Sequence, residues 1–115
     1  MGVMNLEAAA TGSRVYFFTN AGRTEIKIGV SKDVRRRAGQ LETDVILSIS
    51  GTERDETLQH KMWRGYRQGR SEWFLPGENL LLYLFALAWE LKNDKALDLL
   101  CEIYENRWNA LSQAA

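Results

Sequence analysis

The sequence predicts an α+β domain in which a small three-stranded antiparallel sheet is flanked by helices in the order ββαβα, with a C-terminal helical hairpin behind it. Two segments rich in β-branched and aromatic residues, 14–19 and 25–30, flank the turn-forming run 20–23 and predict a β-hairpin. A third β-branched run spans 45–50 and ends at a Gly-Thr pair. Apolar residues recur at helical spacing between and after these strands, which gives the remaining elements.

The first helix is predicted from Lys32 to Glu42, with Ser31 as its N-cap. Val34, Ala38 and Leu41 form its apolar stripe. At 100° per residue Arg37 lies close to this stripe, whereas Arg36 lies on the opposite face and Arg35 in between. Arg37 is therefore the arginine of this helix that can best reach inward.

The second helix is predicted from Glu53 to Gln68, with Thr52 as its cap and Asp55 as the acidic partner at the third position. One stripe of this helix carries Leu58, Met62 and Tyr66. A second sector has a chemical character, with Glu56, His60, Trp63 and Arg67. Trp63, and Trp73 further along, are able to stack on bases, but we expect both to be at least half buried in so small a domain.

The rest of the chain predicts a short strand at 71–74, a break at Pro76-Gly77, and two helices over 78–93 and 94–111. The last helix places Leu97, Leu100, Tyr104, Trp108 and Leu111 at helical spacing. We therefore divide the chain into a flexible leader (1–13), a core (14–75) and a helical extension (76–115). The extension is expected to pack on the core or at the interface of a homodimer.

Composition indicates one ordinary globular domain, with 115 residues, 45% hydrophobic and 26% charged. The lone Cys101 is expected to pack in the core of a protein from a reducing compartment. The chain begins without a signal-peptide pattern, and its apolar run 80–89 is too short to cross a bilayer, so a cytoplasmic protein without membrane contact is expected. Residues 1–75 carry 12 Lys/Arg against 9 Asp/Glu, a modest basic surplus for a nucleic-acid binder.

The predicted hairpin brings Tyr16 and Lys27 together. If the loop is centred on Ala21-Gly22, Tyr16 lies directly opposite Lys27, with Cβ atoms about 5 Å apart. A nearby ammonium favours the phenolate, which would make Tyr16 a better proton acceptor than free tyrosine with its pKa of about 10. An ordinary cross-strand pair on a solvated face is the plain alternative.

With these residues in hand, the chain resembles the GIY-YIG endonuclease superfamily, and in particular its small phage and bacterial branch, from about residue 14 to residue 75. The segments that carry the resemblance are Val15-Tyr16-Phe17, Lys27-Ile28-Gly29 followed by Arg37, Glu56 to His60, and Ser71-Glu72-Trp73-Phe74. The first signature glycine is missing and Lys27 replaces the second signature tyrosine, a lysine that also occurs within the superfamily. The resemblance implies a nuclease that acts on DNA.

In the mechanism that we expect, Tyr16 is the general base, Lys27 assists it, and Arg37 holds a phosphate oxygen. Gly29 keeps the strand end clear so that a nucleic-acid backbone can approach. Glu56 binds Mg²⁺ or Mn²⁺, with Glu72 as a rival ligand, and His60 relays a proton or touches phosphate. Phosphate contacts are further expected from the basic side chains of Lys32, Arg35, Arg64, Arg67 and Arg70.

Two other readings stay open. One is a catalytically silent member that keeps the fold and binds DNA or a partner protein. The other is a scaffold or inhibitor that works through the acidic tail, where residues 76–115 carry 3 Lys/Arg against 6 Asp/Glu. Glu56 and His60 also have a plain explanation as an exposed pair that supports its helix.

Overall fold

A computed structural model describes residues 12–114. The predicted leader lies almost entirely outside the described residues. The strands are β1 (Arg14–Thr19), β2 (Ile26–Ser31), β3 (Asp44–Ser50) and β4 (Trp73–Phe74), and the helices are α1 (Val34–Gln40), α2 (Glu53–Met62), α3 (Glu78–Glu90) and α4 (Asp94–Ala114). In the described part of the chain, no helix is long and apolar enough to cross a membrane.

The sheet has four antiparallel strands in the order β3-β1-β2-β4, so the α+β class is confirmed and the sheet has one strand more than the predicted three. The additional strand, Trp73–Phe74, confirms the short strand predicted at 71–74, and it joins the sheet by pairing with Ile26 and Lys27 of β2. Two residues are enough here because the loop before β4 also bonds β2, where the Ile28 N–H donates to the Glu72 carbonyl at 3.0 Å.

The β-hairpin has a wider loop than predicted, and the predicted pairing of Tyr16 with Lys27 is wrong. Tyr16 pairs with Gly29, and Phe18 pairs with Lys27. The reason is Asn20, whose side-chain oxygen accepts the N–H groups of residues 24 and 25 at 2.9 and 3.1 Å and so organises a six-residue connection. Tyr16 and Lys27 remain on the same face as diagonal neighbours, for which a spacing of about 7–8 Å is typical.

Helix α1 begins two residues later than predicted, because Asp33 and not Ser31 is its N-cap. The Asp33 side chain accepts the Arg36 N–H at 3.2 Å, while the Ser31 hydroxyl accepts the Asp33 N–H at 3.0 Å. Glu42, expected inside the helix, instead has a positive φ of 54° just beyond its end. The predicted apolar stripe does pack inward, with Ala38 buried.

Helix α2 begins as predicted, with the Thr52 N–H donating to the Asp55 carboxylate at 2.8 Å. It ends at Met62 rather than Gln68 and continues as a 3₁₀ turn over Arg64–Tyr66. Leu58 and Met62 are 50% and 56% exposed, so two thirds of the apolar stripe faces solvent. The polar sector faces the sheet instead, with Gln59 and Trp63 buried.

The C-terminal hairpin of α3 and α4 is confirmed. A Cβ on Gly77, just before α3, would overlap the ring of Tyr66, so the chain passes closely over the 3₁₀ turn at this point. The buried face of α4 consists of Ala96, Leu99, Leu100 and Ile103. Cys101 is exposed, so its predicted place in the core is wrong, because it lies about 100° around the helix from the buried Leu100.

Two apolar clusters lie on the two faces of the sheet, as the alternation of side chains along β1 requires. Val15 and Phe17 contribute to the larger cluster, which is closed by α3, α4 and the end of α2. Tyr16 and Phe18 point to the opposite face, where α1 covers them. The candidate site lies on this second face, beside α1.

Candidate active site

Tyr16 is held in one position by its neighbours on the sheet. Its ring is stacked on Phe18 with centroids 3.8 Å apart and an interplanar angle of 13°, and the residue is 1% exposed. The phenol lies across Gly29 on β2, where an added Cβ would overlap the Tyr16 hydroxyl and the ring carbon that bears it. Glycine at this position therefore makes room for Tyr16 itself.

Arg37 reaches Tyr16 from α1, as the position of this arginine on the helix predicts. Its guanidinium lies close enough to the phenol to favour the charged form of Tyr16. Burial raises the pKa of Tyr16, and Arg37 lowers it by less, so the net pKa lies above its usual value. The expectation of a pKa lowered by Lys27 is wrong in direction, because burial of the phenol dominates.

Lys27 is a partner of Glu72 rather than of Tyr16. The Lys27 Nζ lies 2.9 Å from the Glu72 carboxylate and 5.5 Å from the centroid of the Trp73 ring. Lys27 is largely buried, and the ion pair compensates for removing its ammonium from water. Sequence gives no local sign of this pair, because the two residues are 45 positions apart.

Glu56 projects from α2 into the same electrostatic environment. Burial is the largest cause that raises the pKa of Glu56, followed by the charge of Glu72, while His60 and Lys27 lower it. The charges of Glu72 and Glu56 also raise the pKa of Tyr16. Side chains of α1, α2 and the loop before β4 therefore act electrostatically on Tyr16 of β1, and Lys27 of β2 acts on Glu56.

His60 joins α2 to the sheet. Its Nε2 lies 2.9 Å from the carbonyl oxygen of Ile28, and since a carbonyl only accepts, Nε2 carries the proton and donates it. The ring also packs on Phe74 at 5.2 Å. Nε2 is therefore engaged by the backbone of β2, and Nδ1 is the nitrogen that remains to act as an acceptor.

A metal ion is implied by the resemblance, and the carboxylates at the site are suited to one hard cation. Within residues 12–114, no three or more His, Cys, Asp or Glu side chains are grouped so as to hold a metal. Mg²⁺ is commonly bound by one or two carboxylates together with water and phosphate oxygens, so a larger group is not needed. Glu72 is already paired with Lys27, whereas Glu56 forms no ion pair among the described residues.

The five predicted phosphate-binding residues are placed differently from one another. Arg67 braces its own loop, donating to the carbonyls of Ser71 at 2.7 Å and Arg70 at 3.2 Å. All five residues are exposed. Arg35 lines a groove on the other side of α1 from Tyr16.

The two tryptophans are at least partly buried, as expected. The Trp63 indole N–H donates to Gln59 at 2.9 Å, and the Gln59 amide donates to the Tyr83 hydroxyl at 2.9 Å. Trp73 lies beneath the Lys27 ammonium. Trp63 is therefore part of the packing between α2 and α3 rather than a surface for stacking bases.

Comparison of the chain with protein-family models, with curated proteins and with solved structures gave no match. The fold therefore defines the class: a small α+β domain with a four-stranded antiparallel sheet, in which Tyr16 interacts with an arginine of α1 and Lys27 is paired with a glutamate of the loop before β4.

Proposed function

We propose that this chain is a metal-dependent endonuclease that hydrolyses DNA phosphodiester bonds. The observation that supports the proposal is that the buried Tyr16 of β1 has Arg37 of α1 and Glu56 of α2 among the groups that shift its pKa, so that three separate elements contribute to one site. A binding module has no need for a buried phenol near a guanidinium and a carboxylate whose ionisation is disfavoured. Phosphodiester hydrolysis does need a proton acceptor, a donor for the phosphate and a cation ligand.

In the proposed reaction Arg37 binds a non-bridging phosphate oxygen and also donates a hydrogen bond to Tyr16. The planar guanidinium has five donors, so both contacts are available at once. This contact positions the phosphorus next to the phenol. Tyr16 accepts the proton of the attacking water, and Arg37 stabilises the phenolate that the general-base role requires.

Lys27 holds Glu72 in place and keeps a positive charge beside the two carboxylates. Glu56 would bind Mg²⁺ or Mn²⁺ together with water and phosphate oxygens. When bound, the metal supplies charge stabilisation on the phosphate and on the leaving oxygen. His60 contributes by fixing α2 against β2, so that Glu56 faces the phosphate site.

The proposal is tested by incubating supercoiled plasmid with the wild type and with Tyr16→Phe, Arg37→Ala and Glu56→Gln, each with Mg²⁺ and with EDTA. Loss of a general base costs about 10²–10⁴ in rate, and loss of one donor to the developing charge about 10²–10³. The matched controls are Arg36→Ala and Glu53→Gln, which change exposed residues of the same types as Arg37 and Glu56. Metal-dependent nicking that survives the three site substitutions would reject the assignment.

The second candidate is a catalytically silent module that binds DNA or a protein. It is favoured by one observation, the raised pKa of Tyr16, because burial keeps the phenol protonated at neutral pH. Absence of nicking by the wild type, together with DNA binding that Arg37→Ala weakens, would support this alternative.

We further propose a homodimer that forms through α4. Tyr104, Trp108 and Leu111 are about half exposed on this helix, and with Leu97 and Cys101 they follow the alternating four-and-three spacing of a coiled-coil seam. A two-fold pair would supply two active sites for the two strands of a duplex. Sedimentation should give a dimer for the wild type and a monomer for Trp108→Ser with Leu111→Ser; a monomeric wild type refutes the dimer.

A further inference from the structure

A groove of about 960 Å³ runs along the outer edge of β3. One wall comes from α1, including Arg35, and the floor is β3. The opposite wall comes from Leu91 in the turn after α3 and from Lys95 in the first turn of α4. Arg35 and Arg37 are about 160° apart around α1, so this β3-edge groove lies across the helix from the side where Arg37 reaches Tyr16.

The charged side chains of the β3-edge groove are mostly positive. They are Arg14, Arg23, Arg35 and Lys95 on the basic side and Asp44 on the acidic side. Arg23 is paired with Asp44 at 2.7 Å and with Glu102 of α4 at 3.0 Å, and these two carboxylates raise its pKa against the effect of burial. The negative charge of Asp44 is therefore already paired with Arg23.

The other three cations are not neutralised by an acidic side chain among the described contacts. Arg14 donates to the Ser48 hydroxyl and to the Ser48 carbonyl, both at 2.8 Å, so its charge is held at the strand edge without a counter-ion. Arg35 and Lys95 are exposed, and their side chains form no hydrogen bond or ion pair among the contacts of residues 12–114. The groove therefore offers an anion one positive charge that hydrogen bonds hold in place, on Arg14, and two on exposed side chains, on Arg35 and Lys95.

The strand edge itself argues against an added peptide strand. A peptide that extends the sheet needs the outward carbonyls of β3 as acceptors. Arg14 already occupies the carbonyl of Ser48. A chain of phosphates needs donors and positive charge instead, which Arg14, Arg35 and Lys95 provide.

We propose that the β3-edge groove binds the phosphodiester backbone of the nucleic acid on one side of the segment held at Tyr16. This inference rests on the proposed function for the identity of the ligand. A helix with its side chains is about 10–12 Å across, and successive phosphates of one strand advance about 3.4 Å along a duplex, so the groove would receive phosphates about three nucleotides from the one at Arg37. The groove thus fixes the register of the strand.

The test measures DNA affinity without cleavage. A labelled duplex is titrated in EDTA between 50 and 200 mM salt with the wild type, with Arg35→Gln plus Lys95→Gln, and with the control Arg36→Gln plus Lys61→Gln, which removes the same charge from exposed positions outside the groove. Each phosphate contact contributes about 0.9 to the salt slope, so the groove variant should lose about 1.8. Its fall in affinity over this salt range should be about tenfold smaller than that of the wild type.

Equal slopes for the two double variants would overturn the proposal, because general charge and not the groove would then govern binding. The same titration with an acidic peptide gives a second criterion. If the groove variant loses peptide binding but keeps the DNA slope of the wild type, the occupant is a protein and the proposal is rejected. Absence of nicking by the wild type would reject the proposed endonuclease activity but not the proposed binding of nucleic acid in the groove, since binding in EDTA needs no cleavage.

Discussion

Gly29→Ala should destabilise the protein and displace Tyr16, because the structure leaves no space for a methyl group between β2 and the phenol. The added Cβ would overlap the Tyr16 hydroxyl and lie 3.0 Å from a further ring carbon. Forcing a methyl group into a packed site costs about 1–3 kcal/mol. For a domain of this size that free-energy loss lowers the melting temperature by about 4–15 °C.

The matched control is Gly39→Ala. Gly39 lies inside α1, and a Cβ there meets nothing within 4 Å. Alanine in a helix interior is about 0.5–1 kcal/mol more favourable than glycine, so this variant should be more stable than the wild type. Thermal and urea unfolding followed by circular dichroism measure both changes, which have the same chemistry and opposite expected signs.

A double variant identifies the clash as the cause. Tyr16→Leu removes the ring that an alanine at position 29 would meet, so Gly29→Ala should cost at least about 1 kcal/mol less in that background. Additive free energies, or a Gly29→Ala protein as stable as Gly39→Ala, would show that the phenol does not lie across β2. In that case the position of Tyr16 beside Arg37 would lose its physical basis.

Three other predictions concern ionisation. If the Tyr16 phenolate is the base, its raised pKa requires the cleavage rate to increase with pH throughout pH 7–9.5, and a plateau near pH 7 would exclude it. Burial raises the pKa of Glu56 in the folded protein, so ionisation of Glu56 lowers the stability as pH rises from its unfolded to its folded pKa. Glu56→Gln should therefore unfold at a higher urea concentration than the wild type at pH 7. The difference should vanish in acid, below both pKa values. Lys27→Met should lower the free energy of unfolding by about 1 kcal/mol more in the wild-type background than in a Glu72→Gln background, because only in the former does it leave the Glu72 carboxylate unpaired. Equal losses in urea unfolding would contradict the Lys27–Glu72 pair.

Local periodicity was enough to predict the order of strands and helices and the direction of Arg37. The two strands of the hairpin alternate between the clusters on the two faces of the sheet, and a rotation of 100° per residue places Arg37 beside the stripe that includes Ala38. Both inferences depend only on geometry within one element.

The errors arose where contacts between distant residues decide the outcome. The hairpin register depends on the Asn20 side chain, which widens the loop by bonding two N–H groups. The direction of the Tyr16 pKa depends on burial by α1, which the sequence of β1 does not contain. Lys27 is drawn to Glu72, 45 residues away, and not to the phenol on its own hairpin.

Helix α2 shows why a polar sector can be the inner one. Leu58 and Met62 face solvent so that Gln59, His60 and Trp63 can face the sheet. A hydrophobic pattern that disagrees with the fold is expected at a functional site, because residues there serve the activity rather than the local secondary structure. The polar inner face of α2 is therefore an independent reason to place a site beside β2.

Tyr16 and Glu72 each have a basic side chain as a partner, whereas Glu56 forms no ion pair among the residues that the structure describes. Tyr16 has Arg37, and Glu72 has Lys27 at 2.9 Å. Burial and the charge of Glu72 both raise the pKa of Glu56 and so disfavour its charged form. The helix that carries Glu56 is fixed to the sheet by His60, whose Nε2 proton is already donated to the Ile28 carbonyl. Because burial and a neighbouring carboxylate disfavour its charged form, Glu56 is the group of the site that an added divalent cation would stabilise most. The proposed metal-ligand role of Glu56 and the predicted destabilisation by its charge are thus two consequences of one placement.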